Sequence, residues 1–282
     1  MKLAGARAII TGCSTGIGRA TAAELARRGS EVWAATRNPS GLDALASAAV
    51  HIVRLDPTSA REVEKVVEEI GVIDILVNNA GYGVEGAIEE VDDEALHAQY
   101  ETNVFAPWRM CRAVLPGMRA RAKGAIVNVS SFGAHVPFPG IGAYRSSKFA
   151  LEGMTWTLHL EVAHFGIRVI AVEPGLVDTS FNENTVTGKA IAGPADPYRE
   201  MRELIDVVYP RMSPSALPAE AVAARIADEL ATEDGPLHVR VGEDAERMIA
   251  AVWAGEREYH QYLAGDLGFT WLPLGRADTD GR

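Results

Sequence analysis

Cysteine, positive charge and long apolar runs are all scarce in this chain of 282 residues. Cys13 and Cys111 are too few for a disulfide framework, and we therefore expect a reducing compartment and a cytoplasmic location. The 27 Lys and Arg residues are outnumbered by 38 Asp and Glu residues, and the net charge of −11 disfavours nucleic acid and anionic membranes as partners. No apolar run reaches the roughly 18 to 20 residues of a membrane span, and the stretch before Cys13 falls short of a signal peptide.

The rest of the composition is that of an ordinary globular protein, with 48% hydrophobic and 23% charged residues. A chain of this length forms one large domain or two small ones. Because no linker or change in composition divides the sequence, we expect a single domain over residues 1–282.

Short β-branched runs alternate with amphipathic stretches from the first residues onward. The runs predict strands at 6–11, 31–36, 50–55, 73–78, 125–130, 167–173 and 237–241. The amphipathic stretches predict helices at 19–28, 41–49, 59–70, 92–121 with a bend at Pro107, 143–165, 219–231 and 244–263. Since the strand runs are almost continuously apolar, we expect them to be buried on both faces. The sequence therefore predicts an α/β fold of Rossmann type, a doubly wound parallel β-sheet with helices on both faces.

Two segments depart from this alternation. Residues 178–218 are rich in Pro, Asn, Thr and Gly, with a weak helical pattern at 198–209, and are predicted to form a substrate lid because loops of this length are usually functional. Residues 244–282 form a C-terminal extension that carries several large aromatic residues. This extension is expected either to cover the pocket or to pack on another subunit.

A glycine-rich loop joins the first predicted strand to the first helix. Gly12, Gly16 and Gly18 allow a tight turn, close approach of the backbone to a phosphate, and close packing of helix on strand. The unpaired N–H groups at the start of the helix would face a pyrophosphate. The other loop residues expected to contact the cofactor are Ser14, Thr15 and Ile17. In this strand–loop–helix context the loop predicts dinucleotide binding, whereas alone it would indicate only a tight turn.

The end of the second predicted strand decides which dinucleotide fits. An acidic residue there would bond the ribose 2′-hydroxyl and select NAD. This chain has Thr36 followed by Arg37, whose guanidinium can pair with a 2′-phosphate. We therefore expect a preference for NADP(H). In the alternative interpretation, Arg37 is a solvated surface residue and NAD(H) is used.

Four residues form a candidate catalytic set. Tyr144 and Lys148 are four residues apart at the start of a predicted helix and share one of its faces. Ser131 ends the fifth predicted strand, at the sheet edge where open α/β sheets bind ligands, and Asn103 lies in the long helix after the fourth strand. A free tyrosine has a pKa of about 10. A neighbouring ammonium group favours the phenolate and would bring that pKa towards the range for proton transfer.

These features together resemble the classical short-chain dehydrogenase/reductase family. The resemblance covers about residues 3–243. The motifs that carry it, in family order, are Thr11–Gly12–x3–Gly16–x–Gly18, Asp56, Asn78–Asn79–Ala80–Gly81, Asn103, Ser131, Tyr144–x3–Lys148, and Pro174–Gly175 followed by Thr179. The glycine spacing is similar to that of the classical branch and differs from that of the extended branch.

The resemblance implies a role for each of these positions. Tyr144 would be the general acid/base, Lys148 would lower its pKa and hold the nicotinamide ribose, and Ser131 would bond the substrate oxygen. Asn103 would hold a water molecule in a proton relay to Lys148. The implied cofactor contacts are Asp56 with the adenine, Asn79 and Ala80 with the adenosine ribose, and Pro174, Gly175, Val177 and Thr179 with the nicotinamide.

Aromatic residues near the predicted site favour a lipophilic or ring-containing small molecule as substrate. Phe138 and Phe181 are expected to shape a substrate pocket with Ser131 and Tyr144, core packing being the alternative, and His135 is considered as a contact for a polar substrate group. His159 and His164 lie five residues apart and off one helical face. We therefore predict no metal site.

We thus expect an NADP(H)-preferring oxidoreductase that interconverts a carbonyl and a secondary alcohol by hydride transfer. The main alternative is an NAD-dependent alcohol or hydroxysteroid-type dehydrogenase working in the oxidative direction, and the minor one is a non-catalytic dinucleotide-binding sensor. The resemblance also implies a homodimer or homotetramer, formed through the helices near 103–121 and 144–165.

Overall fold

The structure is a computed structural model that describes residues 1–40, 42, 44–181, 184–189, 196–212 and 216–271, with the backbone alone at 210–212. Its strands are β1 Arg7–Thr11, β2 Glu31–Thr36, β3 Val50–Arg54, β4 Ile75–Asn78, β5 Val84–Glu85, β6 Gly124–Val129, β7 Ile167–Pro174, β8 Val177–Asp178, β9 Val186–Thr187, β10 Leu217–Pro218 and β11 His238–Val241. Its α-helices are α1 Gly16–Arg27, α2 Ala60–Ile70, α3 Asp93–Tyr100, α4 Ala106–Ala120, α5 Gly142–Val162, α6 Arg199–Met212, α7 Ala219–Ala231, α8 Glu243–Ala254 and α9 Glu256–Gly265.

Seven strands form the central sheet, in the order β11-β7-β6-β4-β1-β2-β3, and every neighbouring pair is parallel. The chain runs outward from β1 to β3 on one side and from β4 to β11 on the other. The predicted doubly wound Rossmann-type sheet is confirmed. In such a sheet the crevice for a ligand opens at the carboxyl ends of the strands where the direction of winding reverses, which here is between β1 and β4.

The alternation of side chains along each strand divides the core into two layers. Ile10 of β1 belongs to a cluster with Leu25 of α1 and Val222 of α7 on one face of the sheet. Its neighbour Ile9 belongs to a second cluster with Val63 of α2 and Met110 of α4 on the other face. All six side chains are almost completely buried, and this explains why the strand sequences are apolar without interruption.

Two predicted helices differ from the structure. Residues 41–49 do not form a helix over their described positions: Ser47 and Val50 exchange two backbone hydrogen bonds of 3.2 Å, which fold the segment into a turn. Gly41 and Asp43 lie outside the described residues. The helix expected at 244–263 is two helices, since Gly255 adopts a φ of 138° between α8 and α9.

The bend in the long helical region also lies elsewhere than predicted. The break is a π-helical turn at Glu101–Phe105, one turn before Pro107, and Pro107 is accommodated in the first turn of α4. Proline is tolerated there because the first N–H groups of a helix have no partner within the helix. The π turn carries Asn103, one of the predicted catalytic residues.

The C-terminal extension packs on its own chain. Met248 of α8, Tyr259 of α9 and Phe269 form a buried cluster with Phe132 and Val136, which follow β6. The Tyr259 hydroxyl donates a hydrogen bond to the carbonyl oxygen of Pro137. Within its described part, up to residue 271, the extension therefore supports the loop behind the predicted pocket. No helix in the described part of the chain has the length and apolar character needed to cross a bilayer.

Candidate active site

The glycine loop has the geometry that the sequence predicted for a phosphate cradle. Gly12 and Gly16 have φ values of 72° and 56°, which favour glycine. A Cβ atom at Gly12 would lie 2.8 Å from the Cα atom of Ala80, and one at Gly18 would overlap the Asn79 side chain. Gly18 therefore allows α1 to pack closely on the loop and on the end of β4.

The first turn of α1 is free to hold an anion. The helix begins at Gly16, three residues earlier than predicted, and Thr15 at its N-cap makes no side-chain hydrogen bond to the helix. The first turn contains no acidic residue. Its N–H groups and the positive end of the helix dipole therefore suit a pyrophosphate. Ser14 and Thr15 are exposed at the tip of the loop.

Thr11 holds the glycine loop against the end of β4. Its Oγ1 atom accepts hydrogen bonds from the backbone N–H groups of Asn79, at 3.0 Å, and Ala80, at 3.1 Å. In return Nδ2 of Asn79 donates to the carbonyl oxygens of Thr11, at 3.0 Å, and Gly12, at 3.1 Å. Asn79 and Ala80 thus shape the loop from behind, and Asn79 also lines the cavity described below.

The residues predicted to bind the adenosine half lie beside this loop. Arg37 is exposed and directly follows β2, the neighbour of β1 in the sheet. Asp56 follows β3, and its Oδ1 accepts hydrogen bonds from the backbone N–H and the hydroxyl of Thr58, at 3.0 and 2.7 Å. Both positions are at the carboxyl edge of the sheet, where the predicted adenosine site would be.

A cavity of about 600 Å³ opens beside the glycine loop, and three of the four predicted catalytic residues line it: Ser131, Tyr144 and Lys148. Ser131 follows β6, whereas Tyr144 and Lys148 lie on the first turns of α5. The predicted cofactor residues in its wall are Ile17, Asn79, Pro174, Gly175, Val177 and Thr179. The predicted substrate residues Phe138 and Phe181 line it as well. The residues that the fold brings together here are therefore of the kind that would hold a nicotinamide dinucleotide.

Hydrogen bonds orient two of the predicted catalytic side chains, Lys148 and Ser131. Lys148 is buried, and its Nζ donates to the carbonyl oxygen of Val129 at 2.9 Å. Oγ of Ser131 accepts from the N–H of Gly133 at 3.0 Å, which ends β6 in a tight turn. The Tyr144 ring packs against Phe181 with the ring centroids 5.4 Å apart.

The electrostatic effect on Tyr144 differs from the one predicted. Burial raises the pKa of Tyr144, while a side-chain hydrogen bond from Ser131 and the charge of Arg145 counteract this shift. Lys148 was expected to lower that pKa, but its Nζ lies 5.9 Å from the Tyr144 ring centroid and is held by Val129. Burial also lowers the pKa of Lys148 itself to about 8, against the opposing effect of Glu152.

Asn103 lies behind α5 and is buried. Its Nδ2 donates to the Tyr82 carbonyl and to the Ser147 hydroxyl, both at 3.1 Å, and its Oδ1 accepts from the Tyr82 N–H at 3.3 Å. The Ser147 hydroxyl in turn donates to the Tyr144 carbonyl at 2.7 Å. Asn103 therefore links the loop between β4 and β5 to the first turn of α5. Its role in a proton relay stays a prediction.

The segment 178–218 contributes one wall of the cavity. The two ends of the segment are joined by the pairing of β8 with β10. Its strand β9 pairs with β5, outside the segment. Helix α6 presents Met201, Ile205 and Tyr209 to the cavity. Residues 182, 183, 190–195 and 213–215 of this segment lie outside the described residues.

The sequence analysis missed a buried cation in the cavity wall. Arg145 is 7% exposed, and its guanidinium lies over the rings of Phe132, at 4.7 Å, and Phe138, at 5.7 Å. Nη1 donates to the carbonyl oxygen of Val136 at 2.6 Å. Burial lowers the pKa of Arg145 to about 10. No sequence signal marks this residue, because its surroundings come from the loop after β6.

Comparison with known proteins agrees with this geometry. The family model described as "short chain dehydrogenase" matches residues 6–190. The 3-ketodihydrosphingosine reductase of Bacteroides thetaiotaomicron is 40% identical to this chain. The matched region covers 62% of this chain and 65% of that protein. Oxidoreductase BOA17 of Botryotinia fuckeliana is 33% identical over 84% of this chain and 88% of that protein.

Solved structures show the same fold. A short-chain dehydrogenase from Streptomyces avermitilis has a TM-score of 0.79 at 32% identity, over 92% of this chain and 97% of that one. A short-chain dehydrogenase from Burkholderia cenocepacia in complex with NADP has a TM-score of 0.73 at 28% identity, over 95% and 99% of the two chains. This chain belongs to the short-chain dehydrogenase family. It is thereby assigned to the oxidoreductases that use a nicotinamide dinucleotide.

Proposed function

We propose that the protein is an NADP(H)-preferring oxidoreductase that interconverts a carbonyl and a secondary alcohol, with Tyr144 as the general acid/base. The proposal rests on one observation above all: Ser131, Tyr144 and Lys148 line one cavity together with the carboxyl end of β7. A protein that only binds a dinucleotide has no need of this matched set. The sensor alternative therefore has less support.

The protein's groups act on the substrate oxygen. In reduction Tyr144 donates its proton to the oxygen as negative charge develops there, and in oxidation its phenolate removes the proton. Ser131 holds the same oxygen by a hydrogen bond, while Asn103 and Ser147 position the first turn of α5. When bound, the nicotinamide supplies or accepts the hydride, and its oxidised form adds positive charge that favours the phenolate.

The proposed cofactor preference depends on Arg37. A charge-assisted hydrogen bond between a guanidinium and a phosphate contributes about 1.5 to 3 kcal/mol. Arg37→Ala is therefore expected to weaken NADPH binding roughly 10- to 100-fold and to leave NADH binding unchanged. Arg61→Ala removes an exposed arginine on α2 and is the matched control. Equal affinity of Arg37→Ala and the unchanged protein for NADPH would favour the NAD-dependent alternative.

The substrate is proposed to be a lipophilic or ring-containing small molecule. Phe138, Phe181 and Ile205 supply apolar wall to the cavity. The described part of the segment 178–218 is proposed as the lid. The Bacteroides relative is named for a reaction at a keto group, 3-ketodihydrosphingosine reduction. The deciding assay follows NADPH and NADH oxidation in parallel with a panel of aliphatic ketones, aldehydes, quinones and steroids.

The acid/base role is tested with the best substrate from that panel. Tyr144→Phe is expected to lower kcat by about 10²- to 10⁴-fold, the usual contribution of a positioned acid/base, while cofactor affinity is retained. Tyr262→Phe removes a hydroxyl from α9, outside the cavity lining, and serves as the control. If Tyr144→Phe keeps full activity, Tyr144 is not the acid/base.

We further propose a homodimer or homotetramer in the cytoplasm. The π turn, α4 and α5 leave large apolar side chains 45–69% exposed, and these are Phe105, Trp108, Phe149, Trp156 and Leu160. Such a patch is typical of a subunit interface. The two free, buried cysteines suit a reducing compartment. A monomeric mass by light scattering at micromolar concentration would contradict the oligomer.

A further inference from the structure

Behind the catalytic residues lies a second group of polar side chains, the four-residue cluster: His135, Glu152, Glu173 and His238. They come from four different elements: the turn after β6, helix α5, strand β7 and the first position of β11. One ligand atom from each of them lies within 4.8 Å of all the others. None of the four is among the residues that line the catalytic cavity.

Glu173 is at the centre of the cluster. Its Oε1 lies 2.7 Å from Nδ1 of His238 and 3.0 Å from Nε2 of His135. The side chain is completely buried. Glu152 lies on the far side of His238, with its Oε2 3.4 Å from the same Nδ1.

Three of the four carboxylate oxygens lack a hydrogen-bond partner among the described residues. Glu152 is 6% exposed, and neither of its oxygens has a hydrogen-bond partner among the described residues. Oε2 of Glu173 also lacks one. The guanidinium of Arg240 forms a long ion pair with this oxygen, at 3.7 Å, but it also lies over the Trp253 ring and forms a shorter ion pair with Glu246, at 3.2 Å. Glu152 and Glu173 raise the pKa of His238, which lies between them, to about 9, so a single imidazolium counters two buried carboxylates. Two carboxylates buried so close together still repel each other and are costly to desolvate.

A divalent cation would offset both the repulsion between the two carboxylates and the cost of removing them from water. We propose that the four-residue cluster binds one divalent transition-metal ion, with Zn²⁺ as the ion whose preferences it matches. Two imidazole nitrogens and two carboxylate oxygens form a four-coordinate set that suits Zn²⁺. Ligand atoms at the corners of a tetrahedral zinc site are separated by about 3.3 Å. Three of the six separations within the cluster, 2.7, 3.0 and 3.4 Å, are close to this value, and all six are within 4.8 Å.

The histidines provide the route by which an ion enters. Their side chains are 18% and 27% exposed for His135 and His238, while the carboxylates lie beneath them. Because the protein supplies four ligands, the site is structural and not catalytic. It joins three segments that carry the active site: His135 is four residues after Ser131, Glu152 is four after Lys148, and Glu173 precedes Pro174.

The test uses tag-free protein that has been treated with EDTA and dialysed. Titration with Zn²⁺ alone, followed by calorimetry, is expected to show one saturable site per chain. Co²⁺ in the same site is expected to give the visible absorption bands of a four-coordinate ion. Glu152→Gln and His238→Gln are expected to abolish both signals. His164→Gln, which replaces an exposed histidine in the turn after α5, is expected to change neither.

Three results would overturn the proposal: no saturable binding of Zn²⁺, binding that survives in both cluster variants, or loss of binding in His164→Gln. Glu152→Gln keeps the shape of the side chain, and within the described residues the only polar contact of its oxygens is the 3.4 Å one to His238, so the fold should persist. Circular dichroism and NADPH binding check that it does. A rise in melting temperature on addition of Zn²⁺, present in the unchanged protein and absent in Glu152→Gln, is the second expected result.

Discussion

The hydroxyl group of Thr11 is expected to be a main support of the cofactor site. The side chain is 2% exposed at the end of β1, and its Oγ1 accepts two backbone hydrogen bonds, of 3.0 and 3.1 Å, from Asn79 and Ala80. Thr11→Val keeps the shape of the side chain and removes the acceptor. Two N–H groups then lose their partner at the point where β1 and β4 meet the glycine loop.

The expected loss of stability follows from these two bonds. A buried donor left without a partner costs about 1 to 3 kcal/mol. Asn79 and Ala80 are half-buried, and the lower part of that range therefore applies to each, which makes about 2 to 4 kcal/mol together. In a domain of this size each kcal/mol lowers the melting temperature by about 2 to 4 °C. Thr11→Ser keeps the hydroxyl, loses one methyl group and should cost only about 1 kcal/mol.

Urea unfolding of the three proteins measures the difference. We expect Thr11→Val to have the lowest unfolding midpoint at an unchanged slope, with weaker NADPH binding because the glycine loop is no longer held. A Thr11→Val protein as stable as Thr11→Ser would refute the reasoning. The two hydrogen bonds of the hydroxyl group would then contribute nothing to the free energy of unfolding.

Two further predictions concern close packing. Gly18→Ala places a methyl group against Asn79 and the Gly12 carbonyl and should weaken NADPH binding, measured by fluorescence titration. Gly153→Ala in α5 meets open space and should stabilise the fold by about 0.5 to 1 kcal/mol. Equal NADPH affinity in both variants would contradict this prediction. Cys13 and Cys111 are buried, and burial raises the pKa of both thiols, that of Cys111 to about 12. A thiol reagent should therefore label neither in the native protein and both after denaturation, and rapid labelling of the native protein would contradict the structure.

Local pattern was enough to predict most of the fold. The apolar strand runs and the periodicity of the helices depend on residues near one another in the chain, and all seven predicted sheet strands are present. The predicted helix at 41–49 was wrong because a short segment follows its contacts, here the Ser47–Val50 pairing, more than its own propensity. At Gly255 the helix ends, as glycine allows, although the apolar periodicity continues.

Some features of the candidate site could likewise be predicted from local sequence, and others could not. Tyr144 and Lys148 share a helical face through their spacing, and the glycine loop has its own turn chemistry, which makes both recognisable in the sequence. The raised pKa of Tyr144 was not predictable, because its burial, and the opposing effects of Ser131 and Arg145, arise only in the folded protein.

The sequence by itself determined the family and the order of the elements, and it predicted the residues proposed to bind cofactor and substrate, since each depends on local spacing. Only the tertiary structure decided that the C-terminal extension supports the Phe138 loop, and that His135, considered as a substrate contact, faces Glu173 instead. His135 and His238 are far apart in the chain, and their meeting depends on the order of β6, β7 and β11 in the sheet. Contacts over such distances follow from how the whole sheet assembles, and no local pattern encodes them.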